Sequence, residues 1–231
     1  MVRRLAPLCL LFVCVPALAQ DPLPADVRGL EKLTMIIDRV SQVQRKTVTL
    51  KAEFEQRRVS RLLREPSVSQ GTMYFRAPDT VRWEYLTPRP MTVLLSEGVA
   101  TTYRPTEKRA ERVEFGRMQR KIVRFMGAGE PLEELRRYFS FTFRDPGPKG
   151  NYELLLAPTA HQIKKRISQL QITIDRDRFI PTAFSYTEKD GDLTSYAFSN
   201  VIINGTLPDS LFELTLPTDV EVVEIKARGT D

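Results

Sequence analysis

Cysteine and histidine are almost missing from this chain of 231 residues, which holds two cysteines and one histidine. Both cysteines, Cys9 and Cys14, lie in the opening stretch MVRRLAPLCLLFVCVPALAQ. The remainder therefore has no disulfide and no thiol nucleophile. His161 stands in the polar stretch PTAHQIKK and reads as an exposed side chain, not a general base. No His, Cys or carboxylate cluster has metal-ligand spacing, and no G-x-S-x-G elbow occurs. The many carboxylates alternate with Lys and Arg, as on solvated strands. These absences argue against an enzyme and imply neither metal nor cofactor. Helix-turn-helix, zinc-finger and RNA-binding signatures are missing too, so nucleic acid is not a predicted partner.

A long apolar run is also lacking. The opening stretch has Arg3 and Arg4, an apolar run from Leu5 to Val15, and small residues at Ala17 and Ala19. The run is too short for a bilayer span, which needs about 20 apolar residues. Its layout is that of a secretory signal peptide over residues 1–19, with cleavage expected after Ala19. Val13 before Cys14 is not the small residue that an acylated cysteine needs. Residues 20–231 then form one predicted domain, of a length common among β-sandwiches and barrels. Export without disulfides leaves the hydrophobic core to hold the fold.

The formal net charge is +6, two units of which belong to Arg3 and Arg4. Opposite charges are interspersed. The densest basic stretch, RRVSRLLR at 57–64, reads first as a solvated loop or strand end. The other reading is a patch that makes transient contact with an anionic membrane surface or an acidic partner.

What is present is mostly strand-like. Residues 26–44 carry Val27, Leu30, Leu33, Ile36, Ile37, Val40 and Val43 at helical spacing. From residue 46 the period changes to two, with Val48, Leu50, Ala52 and Phe54 on one side. Short alternating segments follow, separated by turn residues: GTMYFRA, TVRWEYL, MTVLLSE, VATTYRP and RAERVEF. Residues 116–139 return to helical spacing and predict two short helices split by Gly127 and Gly129. Then come FSFTFRD, NYELLLAP, SQLQITID, PTAFSYTE, LTSYAFSNV and SLFELTLP. The pattern predicts a mainly β fold with some α: one strongly bent antiparallel sheet, an incomplete barrel of about ten or eleven strands, covered by helices.

The stretch GTMYFRAPDTVRWEYLTPRP holds the only tryptophan. Alternation puts Met73, Phe75 and Ala77 on one face of a hairpin, with Val81, Trp83 and Tyr85 facing them; Arg76, Arg82 and Glu84 point outward. Periodicity alone fits a sealed core and a hollow equally. Asn204-Gly205-Thr206 matches a glycosylation sequon but reads as a turn.

The order G-x-x-x-F-x-x-P-x-x-x-R-W-E-Y-x-x-P, then V-L-L-S-x-G, resembles the periplasmic lipoprotein carrier family, LolA. AEFEQ at 52–56 looks like its first-strand element. LFELTLPTDVEVV, with Phe212, Leu214 and Pro217, looks like its closing strand. The resemblance runs from the first helix to about Val223. It implies a half-open barrel with a helical lid whose hollow takes the acyl chains of lipoproteins. An inner-membrane complex would release them and an outer-membrane acceptor would receive them, with the carrier working as a monomer in the periplasm of a Gram-negative bacterium. Phe54, Met73, Phe75, Val81, Trp83, Tyr85, Val93, Leu95, Phe125 and Met126 would line that cavity; Ile122, Leu132 and Leu135 would belong to the lid. Met73, Met91, Met118 and Met126 would be adaptable fillers. One position departs from the pattern: where the family typically has an inward arginine that latches the lid, this chain has Ala77. Two other readings stand beside the general carrier: a carrier dedicated to another lipid or glycolipid, and an envelope sensor with the same fold.

Overall fold

The computed structural model describes residues 22–24, 26–114 and 131–225. Helix α1 (Gly29–Lys46) leads into β1 (Thr49–Val59), β2 (Ser67–Arg76), β3 (Thr80–Thr87), β4 (Met91–Ser96), β5 (Val99–Arg104) and β6 (Arg109–Glu114). A 3-10 helix, Leu132–Arg137, precedes β7 (Phe139–Arg144), β8 (Tyr152–Pro158), the short helix α2 (His161–Lys164), β9 (Ile167–Ile174), β10 (Pro181–Glu188) and β11 (Leu193–Ile203). A 3-10 turn, Asp209–Phe212, and β12 (Glu221–Ile225) complete it.

The twelve strands of the described residues form one open, curved sheet, ordered β12-β6-β5-β4-β3-β2-β1-β11-β10-β9-β8-β7. Neighbours run antiparallel except β12, which lies parallel to β6. Two meanders, β1 to β6 and β7 to β11, meet where β1 pairs with β11. That contact joins Phe54 to Phe198 across most of the sequence. The predicted hairpin has Met73 opposite Trp83 and Phe75 opposite Val81.

The predicted helix stripe starts one turn late: Leu33, Ile36, Ile37 and Val40 are buried, while Leu30 is exposed. Ser41 and Gln44 complete its inner face. Val48 belongs to the link between α1 and β1 and not to the alternating strand; it is exposed, and its N–H donates to Asn204 Oδ1 at 2.7 Å. Asn204 Nδ2 in turn donates to the Lys46 carbonyl at 3.0 Å. The Asn204 turn thus clasps the end of α1, in a left-handed conformation (φ 56) that asparagine tolerates.

The stretch SLFELTLP is not a strand. Residues 209–212 form the 3-10 turn, and the strand count reaches twelve through EVVEI at 221–225 instead. Alternating apolar residues mislead here because side chains, not a neighbouring strand, satisfy this backbone. Arg82 Nη1 donates to the carbonyls of Leu211 (3.1 Å) and Glu213 (3.0 Å), and the Arg76 guanidinium lies over the Phe212 ring. The segment roofs the outer face of β2 and β3, so the charged outer side of the hairpin is partly covered.

Candidate functional site

The register fixes which residues share the concave face. Leu50, Ala52 and Phe54 on β1 align with Met73 and Phe75 on β2, then with Val81, Trp83 and Tyr85 on β3. Val93 and Leu95 on β4 continue the row. In the other direction, Tyr196 and Phe198 on β11 meet Phe184 and Tyr186 on β10. Ile172, Leu154 and Leu156 lead to Phe141 and Phe143 on β7. The result is a continuous apolar surface across the curved sheet, with α1 packed on it.

Phe54, Met73, Phe75, Val81, Trp83 and Leu95 are buried; Tyr85 and Val93 are half-buried. Leu132 and Leu135 are buried beneath α1, and the 3-10 helix that carries them is tied to it: Leu132 N–H donates to Gln44 Oε1 (2.7 Å) and Glu133 N–H to Ser41 Oγ (3.1 Å). Arg45 pairs with Glu133. Met118, Ile122, Phe125 and Met126 lie outside the described residues. Ala77 does not share the inner face with Phe75; it stands exposed in the β2–β3 turn, where alternation has ended. Arg76 points outward and pairs with Asp209 at 2.8 Å.

The centre of the face is an aromatic cluster. Phe54 meets Trp83 edge-on at 4.9 Å and Tyr85 at 5.0 Å. Trp83 meets Tyr196 at 5.4 Å, and Tyr196 stacks on Phe184 at 4.5 Å. Phe198 lies 6.1 Å from Trp83. Such rings prefer edge-to-face and offset contacts. The Tyr85 and Tyr196 hydroxyls share a hydrogen bond, and burial pushes both phenols above the ordinary tyrosine range, so both stay neutral. Gly71 makes the cluster fit: a Cβ there would stand 2.8 Å from Phe54 Cζ.

The β7, β10 and β11 members of this face lie beyond the lining residues that the sequence predicts. Their signal was present, since Phe139, Phe141 and Phe143, then Phe184 and Tyr186, then Tyr196 and Phe198 repeat at a period of two. What alternation lacks is the β1–β11 pairing that turns those faces toward Trp83.

Beyond Tyr85 the face becomes polar. A groove of about 380 Å³ at the strand ends is lined by Tyr85 and Met91, by Gln56, Ser67 and Ser69, and by the charged Arg58, Arg89, Arg104 and Glu107. Arg58 pairs with Asp192 (3.0 Å) and Arg104 with Glu111 (3.2 Å). His161 is exposed on α2, remote in sequence from any acid or nucleophile of this face. Among the described residues, no group of three His, Cys, Asp or Glu could hold a metal ion, and no helix is long and apolar enough to cross a membrane.

At the opposite end α1 is anchored electrostatically. Asp145 accepts from Lys32 (2.7 Å) and from Arg176, whose guanidinium lies 4.2 Å from the Tyr152 ring centre. Burial pushes the Asp145 pKa up, but the hydrogen bonds from Lys32, Arg176 and the Gly147 N–H outweigh it and hold the group at about 2.

An open curved sheet with a helix on an apolar, aromatic concave face defines the class of protein: a half-barrel with an inner surface suited to apolar contact. The chain belongs to the family described as "Outer membrane lipoprotein carrier protein LolA", which matches residues 45–215. A curated relative from Methylococcus capsulatus, named outer-membrane lipoprotein carrier protein, is 27% identical over 180 residues, covering 77% of this chain and 82% of its own. Two solved structures show the same fold. An uncharacterized conserved protein from Thermus thermophilus superimposes with a TM-score of 0.52 at 12% identity, over 84% of this chain and 99% of the other. MucB does so with a TM-score of 0.52 at 13% identity, over 84% of this chain and 66% of the other.

Proposed function

We propose that this protein is a periplasmic carrier that holds the acyl chains of lipoproteins against its concave face and moves them from the inner to the outer membrane. The observation that carries this reading is the unbroken apolar face from Phe143 to Leu95, centred on Trp83 and leading to a polar groove at one end. Family membership and the relative's name support the same cargo. The energetics require such a device: each buried methylene gains about 0.8 kcal/mol, so exposing an acyl chain of about 15 methylenes costs on the order of 12 kcal/mol. The face does no bond chemistry on this reading; it excludes water. The 3-10 helix with Leu132 and Leu135, hydrogen-bonded to α1, belongs to the lid that must move for cargo to enter. Ala77, at the position of the family's latch arginine, favours a second reading, a carrier dedicated to another acylated lipid or glycolipid.

The test is a photo-crosslinking residue at Phe198, half-buried beside Trp83, in living cells of the native host. Adducts to the lipidated N-termini of many lipoproteins are the expected result. Adducts to a single free lipid or glycolipid would establish the dedicated carrier, and no adducts above background would overturn carriage of lipid.

A further inference from the structure

The β1–β2 connection, residues 60–66, reads SRLLREP and projects from the rim that bears the polar groove. Its turn is closed by the Leu63 N–H donating to the Ser60 carbonyl at 3.1 Å. Leu62 is 93% exposed, the most exposed of the large apolar side chains among the described residues, and Leu63 is 42% exposed. The β3–β4 turn lies on the same rim, because β1 and β3 end where β2 and β4 begin. It adds Leu86, 62% exposed, and Arg89. A polar loop would serve solubility better, since burying a leucine elsewhere, or replacing it, removes apolar surface from water.

The charge around these leucines is basic. Arg61, Arg64 and Arg89 are exposed and make no ion pair among the described residues. Arg58 is already matched by Asp192, whose carboxylate also accepts from Ser60 and from the Arg61 N–H; Glu65 on the tip and Glu107, which lines the groove with Arg89, are the other acids here. The neighbouring β10–β11 turn carries Lys189, Asp190 and Asp192, while α2 and its end, where the Lys189 N–H donates to the Arg166 carbonyl, add Lys164, Lys165 and Arg166. Exposed leucines between exposed arginines fit a bilayer interface, where the apolar side chains enter the acyl boundary and the guanidiniums meet phosphates. An acidic protein groove would match the arginines, but Leu62 and Leu63 stand on one turn of the rim and Leu86 beside the next, a spread that a flat apolar boundary meets at once.

We infer that the β1–β2 tip, with Leu86 and Arg89 beside it, docks this protein on an anionic lipid surface and presents the groove at Tyr85 to the membrane. Its leucines lie outside the apolar concave face, so docking stands or falls separately from lipid carriage.

The experiment is flotation of the purified protein with vesicles of phosphatidylglycerol and phosphatidylethanolamine, set against vesicles of phosphatidylcholine alone. Binding to the anionic vesicles that weakens with salt is expected. Leu62→Ser with Leu63→Ser should lower it about tenfold while the thermal transition stays at the wild-type value. Arg61→Gln, Arg64→Gln and Arg89→Gln should each lower it roughly fivefold and flatten the salt dependence. Equal binding to both vesicle types, no change with the leucine pair, or capture only by protein-containing membranes would overturn the proposal. Crosslinking at Phe198 to acyl chains in the leucine variant separates the two readings: loss of docking with retained adducts supports both, whereas docking without any adduct in the wild-type chain sinks carriage alone.

Discussion

Replacing Gly71 with alanine tests whether the aromatic cluster is built as described. The new Cβ would stand 1.9 Å from the Glu84 carbonyl oxygen and 2.8 Å from Phe54 Cζ. The first neighbour is the backbone of β3, between Trp83 and Tyr85, at the point where the β2–β3 register shifts. It cannot swing away as a side-chain end could. Separating the strands or tilting the Phe54 ring is an overpacking change, which costs about 3 kcal/mol. Alanine also stiffens the unfolded chain, which offsets roughly 0.4–1 kcal/mol. A net loss of about 2–3 kcal/mol in a domain of this size lowers the melting temperature by roughly 5–10 °C. Gly205→Ala is the matched control: its Cβ meets only Ile202 Cγ2, at 3.0 Å, and that methyl can give. Thermal unfolding by circular dichroism measures both. Adding Phe54→Leu should not restore Gly71→Ala, because the backbone contact remains. A Gly71→Ala protein melting within about 1–2 °C of wild type would refute the strand approach and the seat of Phe54 together.

Phe54→Ala removes a buried ring that touches Trp83 and Tyr85, and should cost about 3–5 kcal/mol by urea unfolding; a loss below about 1 kcal/mol would contradict the cluster. Asp145 sits at about 2 when folded against an ordinary value of 3.8. A depressed carboxylate contributes stability that is complete above its unfolded pKa and is lost as pH falls through its folded one. Its share is up to about 2 kcal/mol, on the order of 1 after solvent screening, so Asp145→Asn should lower stability at neutral pH and flatten its fall between 3.8 and about 2. Arg82→Ala frees the carbonyls of Leu211 and Glu213, and limited proteolysis should then cut within residues 205–217 several times faster, with the sheet core unchanged.

How far the sequence reveals such a fold depends on which contacts are local. Alternation over residues 71–85 places Met73, Phe75, Val81 and Trp83 inward, because one tight turn fixes the hairpin and its pleat. The same alternation places Val48 and Ala77 inward as well. Both lie at strand ends, where a neighbouring turn, not the pleat, sets the direction. The meeting of β1 with β11 is beyond local reasoning, as Phe54 and Phe198 pair across more than half of the chain. Half of the aromatic cluster enters the site only through that pairing. The chain after Asn204 fails for another reason. Phe212 and Leu214 have the spacing of a strand, yet the carbonyls beside them are bonded by Arg82, a residue whose outward charge suggested a solvated face.

On the carrier reading, the same cluster limits how tightly cargo can be held. Phe54, Trp83, Tyr85, Phe184, Tyr196 and Phe198 already touch one another, and each ring pair contributes about 0.5–1.5 kcal/mol beyond area burial. An acyl chain must exchange those contacts for its own, and must displace the 3-10 helix from hydrogen bonds to Ser41 and Gln44. The affinity that remains is the difference, not the full transfer energy of the chain. A rigid hollow of the same lining would hold cargo by the whole of that energy and would not surrender it to an acceptor. A face that closes on its own aromatic rings favours release. Trp83→Ala should therefore do two opposing things: cost stability, because rings lose their partner, and slow cargo handover, because the collapsed state that competes with cargo is weakened. Faster handover with Trp83→Ala would show that the tryptophan binds cargo directly and that the rings do not drive release.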